Sequence, residues 1–214
     1  MTRRATAAYG GMQIIADCVR SALQGAGAAE RRSWELHVVG HSAGSIVAAH
    51  AMPLFCNTGV AFKTLQFMAP AMTVELFRET IMAPVGAGAC PMPDLYILSD
   101  TGERDDDVGP YGKSLLYLVS NAFEGRRGTP LLGMERYVAK IDNRLDPAAD
   151  PEVEALLRGH VTVAGAGGRD DAYPVSRSDT HGGFDNDPAT MNSLLWRVLG
   201  RAPARAFTVR DLQY

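Results

Sequence analysis

The sequence predicts an α/β fold, a mostly parallel sheet flanked by helices. Short apolar runs alternate with helical stretches from about residue 11 to the end. Each run is brief and closed by turn residues, as strands are. The connections between runs are long enough to hold helices, so they join parallel neighbours rather than hairpins. A chain of 214 residues can bury a sizeable core, and no linker or repeat divides it, so 1–214 reads as one domain.

The elements follow in order. From Gly11 to Gln24, apolar residues fall at Met12, Ile15, Cys18, Val19 and Ala22, one stripe of an amphipathic helix that Gly25 and Gly27 close. Trp34 to Val39 is the first strand. Ser42 to Ala51 is a helix of small residues, ended by Pro53. Phe62 to Met68 is the second strand, and Thr73 to Met82 a short helix. Leu95 to Leu98 is the third strand, running into a polar loop, "SDTGERDDDVGPYG".

Lys113 to Phe123 has helical length, and "TPLLGMERYVAKI" reads as a further helix with Thr129 as cap and Pro130 in its first turn. A short helix lies within "DPAADPEVEALLRG". Val161 to Ala164 is the fourth strand. A long loop leads to a closing helix, Pro188 to Leu199, with Asp187 as N-cap. The segment 110–159 is long for one crossover and is expected to form a small helical cap over the strand ends.

The net charge of −3 and the pI of 5.9 give no footprint for nucleic acid, and the arginine pairs are dispersed. No segment is long and apolar enough to span a bilayer, and Ala5 to Met12 lacks the apolar run of a signal peptide. Cys18, Cys56 and Cys90 are odd in number and far apart. They suggest small apolar core residues rather than a metal site or disulfides. A reduced cytoplasm is the expected location.

The chemistry concentrates in "WELHVVGHSAGSIVAAH", Trp34 to His50. Gly40-His41-Ser42-Ala43-Gly44 stands between a strand and a helix. A sharp strand-to-helix turn needs small residues around its serine, and Gly40 and Gly44 are expected to avoid Cβ collisions there. The turn lifts the Ser42 hydroxyl clear of the sheet at a helix N-terminus.

"HVVGHSAGS" resembles the nucleophile elbow of the α/β-hydrolase superfamily, esterases and lipases especially. The resemblance implies an N-terminally shortened hydrolase fold with Ser42 as nucleophile and the acid and histidine following in chain order. Gly102-Glu103-Arg104-Asp105, with Val108, is similar to the family's G-x-x-D turn. That selects Asp105 as the acid, with Asp100 and Asp106 as nearby alternatives. Of five histidines, only His181 lies in the loop after the last strand, beside Gly182 and Gly183, and it is the implied general base. The N–H of Ala43 is the implied oxyanion donor.

The implied reaction is hydrolysis of a carboxylic ester with a small or medium acyl group through an acyl-enzyme, with no cofactor. Met68, Met72, Phe77, Met82 and Met92 would line the acyl site. Amide hydrolysis or acyl transfer would use the same residues. A rival reading of the last loop is a divalent cation held by Asp179, His181, Asp185 and Asp187.

The family's second oxyanion donor comes from a loop after an earlier strand, and no such segment precedes Ser42. Tyr9-Gly10-Gly11 is the nearby backbone that could replace it. The first strand would then be a sheet edge. Such an edge invites a second copy of the protein, the chain's own N-terminal residues, or a missing piece of a longer chain. A non-catalytic interaction module built on that edge is the alternative to an enzyme.

Overall fold

The computed structural model describes residues 6–7, 10–166, 169 and 172–213. The chain opens with helices α1 (Gly11–Gly25) and α2 (Ala28–Ser33), then strand β1 (Glu35–His41) and helix α3 (Gly44–Cys56). Strand β2 (Ala61–Met68) leads to α4 (Val74–Phe77), a π-helical stretch at Arg78–Met82, and α5 (Ala83–Gly86). Strand β3 (Pro93–Ile97) is followed by α6 (Asp100–Asp105), α7 (Leu115–Leu118, running into a π-helical stretch at Val119–Phe123), α8 (Glu135–Val138) and α9 (Pro151–Leu157). Strand β4 (Val161–Val163), α10 (Pro188–Leu199) and α11 (Val209–Leu212) complete it.

The four strands lie in the order β1-β2-β3-β4 and all neighbours are parallel. The α/β class is therefore as the alternation of runs predicts, and β1 is the edge. Right-handed crossovers that add each strand on the same side leave their helices on one face. Accordingly α3 packs on β1 and β2, and α4 packs on α3. Leu65, Phe67, Leu95 and Ile97 are fully buried in the core. The alternate residues of β2 face the other way, where the Gln66 amide donates to the Leu194 carbonyl of α10 (3.3 Å).

Several element boundaries differ from the sequence reading, and three bear on the packing. Pro53 does not end α3, which continues to Cys56. A proline near the C-terminus forfeits one hydrogen bond, while Met52 and Phe55 keep the last turns anchored in the core. The Asn57 amide caps the Pro53 carbonyl (2.7 Å).

"TPLLGMERYVAKI" is helical only at Glu135–Val138. Its first half lies extended along the loop after β2. The N–H of Leu132 donates to Met72 O (2.9 Å), and that of Gly133 to Pro70 O (2.9 Å). The approach is so close that a Cβ on Gly133 would sit 2.6 Å from Pro70 O. Backbone pairing has overridden the helical pattern.

The loop after β3 begins with a helix, α6. Ser99 caps it by accepting from Gly102 N–H (3.0 Å). Asp187 caps α10 as expected, accepting from Ala189 and Thr190 N–H. The cysteines are free, and only Cys90 is buried. Cys18 lies on the solvent face of α1, not in the core.

Candidate active site

The elbow is a continuation of the sheet. Ser42 N–H still donates to Met68 O (2.9 Å), extending the β1–β2 ladder by one residue. The backbone then turns over. Ser42 has φ 50°, a left-handed conformation that non-glycine residues adopt only when the surroundings hold them there. Its carbonyl is held from two sides, by Ser45 Oγ–H (2.7 Å) and Ala71 N–H (3.2 Å). Ser45 Oγ in turn accepts from Met72 N–H (3.2 Å). The strained residue is thus tied to the loop leaving β2.

Gly40 is required by this packing. A Cβ there would fall 3.1 Å from Gly44 C, Phe67 Cδ1 and Ser45 N. The expectation for Gly44 fails: a Cβ there would meet nothing within 4 Å. Gly44 begins α3 with that side open, so close approach of strand and helix constrains Gly40 alone.

The loop before α10 brings His181 to the serine. His181 Nε2 lies 2.8 Å from Ser42 Oγ. Three contacts position the histidine. His41 Nε2–H donates to the His181 carbonyl (2.9 Å), and the two rings stack 5.7 Å apart. The His181 N–H donates to Asp106 Oδ2 (2.9 Å). Behind it, Gly183 allows a tight bend, since a Cβ would lie 2.8 Å from Thr180 Oγ1 and 2.9 Å from Ser178 Oγ. Phe184 is fully buried and meets His41 edge-on.

Burial dominates the titration of His181. It pushes the imidazole down to about 4, His41 adds to this, and Asp106 opposes it. The ring is neutral at pH 7. Its Nδ1 is buried with no hydrogen-bond partner among the described residues. A neutral imidazole that accepts the Ser42 proton at Nε2 carries its own proton on Nδ1. That position is where a carboxylate would stabilise the cation formed on proton transfer.

The three candidate acids have different surroundings. Asp100 is engaged by Tyr117 O–H (2.7 Å) and Arg104 (2.8 Å). Asp105 is exposed as the last residue of α6, and among the described residues the hydrogen bonds of His181 go to His41, Asp106 and Ser42 instead. Asp106 follows it and is the carboxylate that reaches the His181 loop. The structure brings Ser42, His181 and Asp106 together and leaves Asp105 outside. The cause is α6: by continuing through Asp105, it places the first non-helical residue, Asp106, toward the loop. Sequence reading placed His41 in the elbow, but its position beside Ser42 gave no sign of its bond to the base loop.

The Ala43 N–H makes no hydrogen bond among the described residues and precedes α3 on the exposed side. Of the suggested second donors, Tyr9 lies outside the described residues, and Gly10 N–H is taken by Ala7 O (2.7 Å). Met68, Met72 and Phe77 belong to the buried core, so they do not line an open acyl site. Met82 and Met92 are half-buried. A cavity of about 800 Å³ lies between α4 and the start of α9, and neither Ser42 nor His181 lines it. The cation reading has no geometric support. Asp187 is spent on backbone N–H groups of Arg177, Ala189 and Thr190. No three potential ligand side chains gather among the described residues.

A scan against protein-family models, a search of curated proteins and a search of solved structures return no match to this chain.

Proposed function

We propose that the chain is a serine hydrolase of the α/β-hydrolase type that cleaves carboxylic esters. The observation that carries this reading is a serine in a left-handed strand-to-helix turn with a buried, neutral imidazole 2.8 Å from its hydroxyl. No structural need of the turn asks for a histidine brought from 139 residues away. Strain at a hydroxyl facing a base is what nucleophilic catalysis uses.

In this reading His181 takes the Ser42 proton as Oγ attacks the acyl carbonyl. The Asp106 carboxylate turns from the His181 N–H to Nδ1 and stabilises the imidazolium. The Ala43 N–H receives the developing oxyanion. The alcohol leaves with the proton from His181, and water repeats the sequence in reverse to release the acid.

A p-nitrophenyl ester series of graded acyl length tests it. Turnover is expected for the wild type and loss to background for Ser42→Ala and His181→Ala. Turnover that survives both substitutions rules the mechanism out.

A second copy of the chain is the partner proposed for the β1 edge. Its outer edge pairs with no strand among the described residues, Val39 is 47% exposed, and Ile14 and Ile15 on α1 are 53% and 55% exposed. Light scattering that finds only an active monomer refutes this.

A further inference from the structure

Glu103 is a buried carboxyl that the proposed reaction does not use. It is 0% exposed, on the inward face of α6, three residues before Asp106. Its Oε2 accepts from Ser114 Oγ–H, and its backbone carbonyl accepts from Ser114 N–H (2.9 Å). Ser114 Oγ also caps α7, accepting from Tyr117 N–H (3.3 Å). One residue therefore closes the segment 104–113 at both ends, by side chain and by backbone. That segment carries Asp106, whose carboxylate holds the His181 N–H.

We propose that Glu103, through Ser114, is a positioning residue that holds the segment carrying Asp106 against the His181 loop. This rests on the hydrolase reading only for its effect on turnover, since the contacts themselves stand without it.

The surroundings of Glu103 explain why an acid at this place makes the hold sensitive to pH. Its Oε1 is buried with no hydrogen-bond partner among the described residues. The charged groups that face it are Asp106 and Asp100, both of its own sign, and the neighbouring Arg104 is exposed and engaged by Asp100. Lys113, next to Ser114, sits over the Tyr117 ring instead (5.1 Å). Burial raises the carboxyl to about 7, and the two aspartates add to it against the Ser114 hydrogen bond. Below that value the group is neutral and fits. Above it, a second charge lies beside Asp106 in space without a donor for Oε1. Relief comes from opening toward water, which moves Ser114 and the segment it closes.

The test has two readouts. Ester turnover of the wild type is expected to fall between pH 6 and 9 with a midpoint near 7, and the rate of Glu103→Gln to lose that limb. Superimposable profiles overturn the proposal. The second readout is hydrogen exchange of the His181 amide, measured in Ser42→Ala chains so that activity plays no part. With Ser114→Ala added, exchange at pH 6 is expected to quicken ~10-fold, because the Asp106 bond is no longer held. An unchanged rate overturns the proposal even if Glu103→Gln fails to fold. A wild type inert toward esters would defeat the hydrolase reading and leave the exchange result to decide this one.

Discussion

At the residue scale, the site is defined by what each polar atom has or lacks. Ser42 Oγ has His181 Nε2, while Nδ1 has no hydrogen-bond partner among the described residues. A buried N–H without an acceptor costs free energy, and Asp106 is the carboxylate within the same loop contact. Asp106→Asn is therefore expected to lower kcat by ~10²–10⁴, as loss of a triad acid does. Asp105→Asn, at an exposed position, is expected to stay within about twofold, since exposed substitutions away from a site have small effects. Steady-state kinetics of the two variants on one ester checks this, and the opposite ranking would return the acid to Asp105. The sequence made the serine and the histidine legible because each stands at a marked place: a glycine-flanked turn, and a glycine-flanked loop after the last strand. It could not separate three neighbouring aspartates. The difference between them is the length of α6, which Ser99 starts and which tertiary contacts end.

At the scale of elements, β1 and α3 meet over Gly40 with no slack. A methyl group would press at 3.1 Å on the backbone of Gly44 and Ser45 as well as on Phe67. Backbone cannot rotate away as a side-chain tip can. Gly40→Ala is expected to destabilise the fold by ~1–3 kcal/mol, the usual range for overpacking, and to shift Ser42 with it. Urea unfolding gives the first quantity and ester turnover the second. Gly44→Ala serves as the comparison, with open space at its Cβ and a smaller expected loss. The strands were legible because their apolar runs are short and bounded. The segment Thr129–Gly133 was not, because its conformation is fixed by backbone partners at Pro70 and Met72, which periodicity does not reveal.

At the scale of the molecule, two buried groups pull the pH dependence of stability in opposite directions. Glu103 holds its proton up to about 7 in the fold, against 4.5 when free. Its contribution is present at low pH and is lost as pH rises from about 4.5 through 7. His181 keeps its proton only below about 4, against 6.5 when free. Its contribution is present above about 6.5 and is lost as pH falls toward 4. Each amounts to about 3 kcal/mol at full effect, so the two slopes offset each other between pH 4.5 and 6.5. Chemical denaturation at a series of pH values is expected to give a nearly flat wild type over that range. Glu103→Gln should lose stability on acidification, and His181→Gln should lose it as pH rises. Parallel curves for all three proteins would show that these groups do not titrate as described. This balance was invisible in the sequence, where Glu103 is one acid among many in a polar stretch.

A Ser42 nucleophile activated by His181 has a direct chemical signature. A fluorophosphonate forms a stable covalent bond with such a serine and with few others. Intact and peptide mass measurement after exposure to the probe tests the claim directly. One adduct per wild-type chain is expected, located on Ser42, with none on Ser42→Ala and strongly slowed labelling of His181→Ala. A folded wild type that stays unlabelled, or an adduct that persists in Ser42→Ala, would contradict it.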